Sequence, residues 1–299
     1  MTSDALQDSY DAVVVGGGPA GLSGALMLAR SRRDVVVIDA GSPRNAPAEA
    51  VRGLFALDGT PPAELLARGR EEVRRHGGHL VDGEVVATTR TDDGFVVSLA
   101  EGRTVATRRP LVTTGLVDEL PEVRGLADRW GRDVVHCPYC HGYEARDRAI
   151  AVLGTGPMSL HHVLLFRQLS ADVVYVQHSA PDPEPEQAEQ LAALGVEVVT
   201  GRVTGVEVAD DAISGVRLEE GRVIPREVVA VATRMVARPG SSTRSACGPC
   251  RTPRAWASTS RPGWPASPTC RACGRPATSP TSRPRSAPRP PRARWPART

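Results

Sequence analysis

The sequence predicts an α/β fold: two parallel-sheet halves of nucleotide-binding type, built in three layers, with a coreless tail behind them. Three observations carry this expectation. A valine-rich strand runs straight into a glycine turn near the start of the chain, and a poorer copy of the pattern recurs at Gly154. After residue 240 the chain has no Val, Ile, Leu, Phe, Tyr or Met, and its only large apolar residues are three isolated Trp. Such a segment has almost nothing with which to bury a core.

The first half is "DAVVVGGGPAGLSGALMLARSRRDVVVIDAG". Residues 12–15 are a short apolar run of the kind that fills a buried parallel strand. Gly16-x-Gly18-x-x-Gly21 follows at once. The first glycine permits the tight turn, the second lets backbone approach a pyrophosphate, and the third allows the helix to pack closely. The helix N-terminus adds free N–H groups and a positive dipole. A second strand at residues 35–38 ends in Asp39, placed to hydrogen-bond a ribose hydroxyl. Strands on both sides and the distal acid make this a dinucleotide site of the Rossmann-like type.

Next, "PPAELLARGREEVRRHGG" has helical periodicity, with Leu65, Leu66 and Val73 on one face. The stretch from "GGHLVDGEVV" to "DELP" alternates apolar and polar residues around the turn signals "DDG" and "EG". It reads as an antiparallel meander that ends in a buried strand at Leu111 and Val112 and a glycine turn at Gly115.

The second half is "RAIAVLGTGPMSLHHVLLFRQLSADVVYVQHSA". A strand at residues 149–153 leads to Gly154-x-Gly156-x-x-Ser159, then a helix at residues 160–169 and a strand at residues 173–176. After Val176 come Gln177, His178 and Ser179, neither the acid of an NAD site nor the arginines of an NADP site. The fold signal here is strong and the ligand signal weak: Gly154 and Gly156 mark a weak second nucleotide site, with NAD(P)H as its candidate cofactor. His161 and His162 read as structural residues of the helix. "SAPDPEPEQ", residues 179–187, reads as a charged, Pro-rich loop.

All six cysteines fall in CxxC units: Cys137 with Cys140 in "HCPYCHGYE", Cys247 with Cys250, and Cys270 with Cys273. Such a pair can be half a zinc site, a staple, or a dithiol that opens and closes during turnover. No run of 18 apolar residues occurs in the 299, so no membrane span is expected. The first ten residues carry two aspartates and no basic apolar leader, so a cytoplasmic, reducing setting is expected.

The net charge of +3 hides an uneven distribution: residues 241–299 hold 12 Arg and no acid, while residues 1–240 hold 25 basic against 34 acidic residues. Three readings of the tail compete. It is a basic arm for nucleic acid, a zinc ribbon on the two distal cysteine pairs, or an out-of-frame translation. The third is favoured. The chain has no lysine, the mark of a GC-rich gene. "PTCRACGRPATSPTS" can be encoded so that reading from the third nucleotide spells Asp-Val-Pro-Gly-Val-Trp-Ala-Ala-Gly-Asn-Val-Thr-Asp-Leu, a coherent strand-turn-helix text. The tail is expected to be disordered, without metal, and nucleic acid is not the expected partner.

Taken in order, "VVVGGGPAGLSGALMLAR", "DAGSPRN", "TTGLVDELPEVRG", "HCPYCHGYE" and "AVLGTGPMSLHH" resemble the thioredoxin reductase-like flavoproteins of the pyridine nucleotide–disulfide oxidoreductase class, over residues 10–238. The resemblance implies an FAD domain at residues 1–118 and a pyridine-nucleotide-type domain at 119–230. A return to the FAD domain at 231–240 and the tail at 241–299 complete the division. It implies that Gly16, Gly18, Pro19, Ala20, Gly21, Asp39, Asn45, Thr114 and Gly115 bind FAD, and that the protein is a homodimer. It implies a catalytic trio of Cys137, Cys140 and His141. Cys140 is the thiolate that faces the flavin and Cys137 the thiol that exchanges with substrate. His141 stands where thioredoxin reductases proper carry a proton-moving aspartate, and an imidazole suits that work near neutral pH. The plainer alternative is a turn residue satisfied by backbone. No other cysteine pair lies in residues 1–240 and one pair cannot close a tetrahedral zinc site, so the redox reading of Cys137 and Cys140 is preferred.

The family closes its FAD site with a C-terminal Gly-x-x-Ala-Ala-Gly-Asp/Asn segment. This chain has none in frame, and the out-of-frame text contains Trp-Ala-Ala-Gly-Asn, which places the expected break between residues 238 and 241. Three functions compete: an NAD(P)H-dependent reductase of a thioredoxin-like protein, an oxygen-dependent oxidase of small-molecule dithiols, and a zinc- or nucleic-acid-binding protein acting through the tail. The "CPYCHGYE" form occurs in relatives of the second kind.

Overall fold

The computed structural model describes residues 4–238 and the strand Ser242–Thr243; the expected tail disorder and both distal cysteine pairs lie outside the described residues. The first half comprises β1 (Ser9–Val15), α1 (Pro19–Arg30), β2 (Val35–Asp39), α2 (Pro62–Arg75) and β3 (His79–Asp82). The meander β4 (Val85–Arg90), β5 (Phe95–Leu99) and β6 (Thr104–Val112) then runs back into the same sheet, where β6 pairs in parallel with β1. The chain crosses through β7 (Leu116–Glu119) to β8 (Val134–Val135) and the short helix α3 (Pro138–His141). The second half continues as β9 (Ile150–Leu153), α4 (Met158–Phe166), β10 (Val173–Val176), α5 (Pro185–Ala193) and β11 (Glu197–Val199). A second meander, β12 (Val203–Ala209), β13 (Ala212–Leu218) and β14 (Val223–Pro225), leads to β15 (Val228–Val231). β16 (Arg234–Ala237) returns along β7, and β17 (Ser242–Thr243) joins the edge of the first sheet.

The first sheet has the order β17-β4-β5-β6-β1-β2-β3, and the second is parallel in the order β11-β10-β9-β15-β8. The apolar strands sort by period two onto two faces. Val13, Val15, Val36 and Ile38 pack against the first meander, while Val14, Val35 and Val37 pack with Leu22, Leu66 and Val73 of the two helices. In the second half Ala151, Leu153, Val174 and Val176 face β12 and β13, and Ile150, Val152, Val173 and Tyr175 face Val163, Phe166 and Leu191. The parallel strands of each sheet are thus covered on both faces, which is the expected three-layer plan and the reason these strands read as unbroken apolar runs.

Three local expectations need correction. Leu111 and Val112 are 36% and 47% exposed rather than buried. β5 pairs only with residues 104–107 of β6, so the end of β6 runs beyond the meander that covers its start. Within the stretch read as a loop, Pro185 opens α5: Pro at the first helical position starts a helix well, and Glu184 with Gln187 forms a capping box. The helix expected at residues 160–169 runs from Met158 to Phe166. On α2, Leu66 and Val73 are buried as expected and Leu65 is half-buried. Among the described residues no helix is long and apolar enough to cross a membrane.

The segment that delivers the CxxC is anchored by a buried ion pair. Arg129 donates to both carboxylate oxygens of Asp133 at 2.8 and 2.6 Å and to Asp211 at 2.7 Å. Asp133 also accepts the Ile213 amide at 2.8 Å. Burial opposes the Asp133 charge, but the Arg129 and Ile213 hydrogen bonds outweigh it and hold the carboxyl below its ordinary value. Its contribution to stability is therefore complete above the ordinary carboxylate range and fades as pH falls through the lowered value. Arg129→Lys keeps the charge but cannot reproduce the fork. The expected loss in urea denaturation is ~2 kcal/mol at neutral pH, the scale of one hydrogen bond to a charged group, and it shrinks as pH falls through the lowered Asp133 value.

Candidate functional site

β1 ends at Val15 and Gly16 turns the chain with φ +103°, a left-handed value at which a Cβ would also sit 2.6 Å from the carbonyl oxygen of Thr113. Gly16 donates its N–H to Ile38 at 2.8 Å, which ties the turn to β2. The N–H groups of Gly17 and Gly18 have no protein partner among the described residues. Gly18 is the extended N-cap of α1, and a Cβ there would meet nothing within 4 Å. Pro19, at the first helical position, has no N–H to leave unpaired. Gly21 lies one turn deeper, where a Cβ would stand 1.9 Å from the carbonyl oxygen of Gly16.

This turn opens on a cavity of about 1140 Å³. Gly16, Gly18, Pro19, Ala20, Asp39, Asn45, Thr114 and Gly115 line it, as do Cys137, Cys140 and His141. Gly21 does not; it is the buried seat under the turn. Asp39 approaches so closely that a Cβ on Gly17 would be 2.7 Å from its carboxylate, and its Oδ2 is paired with Arg70 of α2. Two unpartnered amides at a helix N-terminus, an acid at the end of β2 and a cavity of this size fit FAD: pyrophosphate on the amides, ribose on Asp39.

Cys137 is the N-cap of α3, and its carbonyl accepts the N–H groups of Cys140 and His141 at 3.1 and 3.0 Å. The two sulfurs are free thiols, Cys137 half-buried and Cys140 exposed. The Cys137 thiol is pulled down to about 6, first by the hydrogen bond it accepts from the Cys140 thiol, then, against burial, by the N–H groups of Cys140 and Tyr139 and by His136. Cys140 is pushed up by donating that bond, by burial and by the Cys137 thiolate, with Arg44 acting the other way. The charge of the reduced pair thus settles first on Cys137, whereas the resemblance assigns the thiolate to Cys140.

His141 lines the same cavity. Burial holds its pKa below the ordinary value, Glu144 working against this and Arg52 with it, and its buried Nδ1 has no hydrogen-bond partner. A turn residue satisfied by backbone does not describe that ring. His136 bonds through Nδ1 to the Val231 carbonyl at 3.0 Å and stacks edge-on with His162, 5.2 Å between centroids. His162 is buried and pulled down to about 4, chiefly by that burial, so it is a neutral packing residue.

The second turn repeats the first one's bond back to the neighbouring strand, but Gly154 lacks the positive φ of Gly16, and the two turns differ in who holds their amides. Gly154 donates to Val176 at 2.7 Å, as Gly16 does to Ile38. Here, however, the N–H groups of Thr155 and Gly156 both point at the Ser159 hydroxyl, at 3.0 and 3.3 Å. Ser159 is fully buried at the position of the third glycine. The helix also starts later, with Pro157 as N-cap. Gln177 turns to Asp182 at 2.7 Å and His178 accepts the Val203 amide at 3.1 Å. The structure therefore brings Gly154 and Gly156 into a turn whose amides are already used.

Sequence reasoning missed Arg44, Asp118 and Ser159. Arg44 stands beside Asn45 in "SPRN", and its role shows only in the fold, where the loop after β2 meets β7. Ser159 was legible as the residue replacing a glycine; that its hydroxyl reaches back to two amides was not.

One open and one closed glycine turn, with both CxxC thiols in the wall of the cavity at the open one, define a protein of two Rossmann-type nucleotide-binding folds. The family model of pyridine nucleotide-disulphide oxidoreductases matches residues 10–245, and the chain belongs to that family. Thioredoxin reductase tcpT of Claviceps purpurea (strain 20.1) is 39% identical over 152 residues, 50% of this chain and 47% of that protein. Thioredoxin reductase sirT of Leptosphaeria maculans is 38% identical over 141 residues, 46% of this chain and 43% of that protein. The chain thus spans about half the length of the curated relatives it matches. The solved structure of HlmI is similar with a TM-score of 0.75 at 44% identity, covering 80% of this chain and 76% of that one. The family match runs to residue 245 and β17 still joins the first sheet, a few residues past the break expected at 238–241.

Proposed function

We propose that the protein is an FAD-dependent thiol–disulfide oxidoreductase whose exchanging pair is Cys137 and Cys140. The observation that carries this reading is the cavity shared by the open glycine turn and both thiols. Residues 1–118 with 231–240 supply the flavin half, and residues 119–230 supply the CxxC. Bound FAD would accept two electrons from the reduced pair and pass them to an acceptor. The chain's own residues do the rest. A substrate thiolate attacks Sγ of Cys137 in the oxidised pair, and the sulfur–sulfur electron pair leaves on Sγ of Cys140. The second substrate thiolate attacks the substrate sulfur of this mixed disulfide, and Cys137 departs as a thiolate. Two electrons reach the pair; the two thiol protons pass to solvent or to the Nδ1 of His141.

The second turn favours one direction. With the amides of Thr155 and Gly156 held by Ser159, the backbone donors that a nicotinamide dinucleotide would use are occupied. This favours oxidation of a small-molecule dithiol with oxygen over reduction of a thioredoxin-like protein with NAD(P)H. The names of tcpT and sirT support thiol–disulfide chemistry in general. We place the protein in the cytoplasm, as the sequence leads one to expect, where a CxxC pair is more often catalytic or metal-binding than structural.

Anaerobic titration of the FAD-reconstituted full chain tests both parts. Dithiothreitol is expected to bleach the flavin band stoichiometrically, and excess NADPH to leave it unchanged. No bleaching by dithiol sinks the redox-pair reading; bleaching by NADPH reverses the direction.

A further inference from the structure

Asp118 on β7 is almost fully buried and accepts two hydrogen bonds from Arg44, Nε to Oδ2 at 2.6 Å and an Nη to Oδ1 at 2.7 Å. Thr233 donates its hydroxyl to the same Oδ1 at 2.6 Å. Burial opposes the charge on Asp118, but the bonds from Arg44 and Thr233 keep it ionised. The clamp therefore fixes a guanidinium at the junction of the loop after β2 with the β7–β16 crossover. A bidentate fork is the geometry in which arginine is held most tightly. Arg44 is still 41% exposed, and it shares the wall of the cavity with Cys137 and Cys140.

The charges around the pair are uneven. His136 and the α3 amides favour a thiolate at Cys137, whereas Arg44 attracts a thiolate on either sulfur and acts more strongly on Cys140. His141 is neutral, and Glu144 is paired with Arg52 at 3.2 Å. In the free reduced pair Cys137 takes the charge, because Cys140 donates its proton into the hydrogen bond. Once Cys137 is in a mixed disulfide with substrate, that acceptor and its negative charge are gone. Cys140 is then acted on by the partial desolvation of the cavity wall on one side and Arg44 on the other. A leaving thiolate departs faster when its charge is stabilised.

Resting on the reading of Cys137 and Cys140 as the exchanging pair, we infer that Arg44, fixed by Asp118, is a positioning residue: the cation that receives the charge on Cys140 when Cys137 is covalently engaged with substrate. This reconciles the two assignments of the thiolate. Cys137 carries it in the free pair and Cys140 carries it in the mixed disulfide.

Cys137→Ser reproduces the second situation, since serine offers no thiolate. The reduced full chain carrying this change is exposed to iodoacetamide at pH 7, and alkylation of the tryptic peptide spanning residues 133–146 is followed by mass spectrometry. The reagent is neutral, so the guanidinium does not steer it. Adding Arg44→Met is expected to slow alkylation of Cys140 about tenfold, the thiolate fraction lost for one unit of pKa. Arg44→Gln, neutral yet able to donate to Asp118, should slow it similarly and guards against misfolding of the methionine variant. Arg44→Lys keeps the charge but loses the fork, so its rate should fall between those of arginine and methionine. Equal rates for Arg44, Met and Gln overturn the inference, as does a lysine variant as slow as methionine, which would make the clamp structural. The readout is thiol reactivity rather than turnover, so such a failure leaves the redox-pair reading standing.

Discussion

Cys140→Ser is expected to abolish the proposed thiol–disulfide turnover, by on the order of 10³-fold or more, while leaving FAD binding intact. Serine cannot form or cleave the Cys137–Cys140 bond, so no route carries electrons from the substrate into the pair. On the proposed reading the cofactor would be held by other elements: the amides of Gly17 and Gly18 at the head of α1 and the carboxylate of Asp39 at the end of β2. Cys140 reaches the cavity from α3, beyond β8. The measurement is the ratio of flavin to protein absorbance alongside the rate of dithiol oxidation. A variant that loses flavin together with activity would make the pair structural and remove the proposed function. Cys137→Ser should be equally inactive, and it separates the two sulfurs through the reactivity of the one that remains.

The fold was legible where one residue pattern has one packing solution. Valine runs bounded by glycine turns can be buried on both faces only in a covered parallel sheet, and β1, β2, β9 and β10 fall where those runs lie. The pattern was least legible at element ends. Leu111 and Val112 carry the composition of a buried strand, yet their exposure depends on how far β5 extends beside them. Pro185 reads as a breaker until Glu184 and Gln187 are seen to cap the helix it begins. Of the site, the residues that line the cavity were legible because glycines and cysteines have spacing rules. The Arg44–Asp118 clamp joins positions 74 apart in sequence, and no local spacing announces it. The state of the second turn was half legible: the missing acid and arginines were visible, the self-satisfied amides were not.

Gly21→Ala should cost both stability and cofactor, and the paired change Gly18→Ala should separate the two. At Gly21 an added Cβ would meet the Gly16 carbonyl oxygen at 1.9 Å and the Thr113 hydroxyl at 2.7 Å. Neither is the end of a flexible chain. Thr113 is itself held by hydrogen bonds from its Oγ1 to the Val15 and Gly16 carbonyls, both at 2.9 Å. The helix must therefore lift off the turn, and the Gly17 and Gly18 amides move with it. Overpacking of this kind costs about 1–3 kcal/mol or more in stability. Misdirecting the two amides should weaken FAD by about a hundredfold or more, near 2.7 kcal/mol. At Gly18 the same methyl meets nothing within 4 Å and the backbone is ordinary extended chain, so the melting temperature should hold. That methyl points to where backbone would approach a pyrophosphate, and FAD should bind roughly tenfold more weakly, about 1.4 kcal/mol. Calorimetric titration with FAD and thermal denaturation of both variants provide the measurement. If Gly18→Ala binds FAD as the parent does, the pyrophosphate does not sit on this turn, and the assignment of the cavity to FAD fails with it.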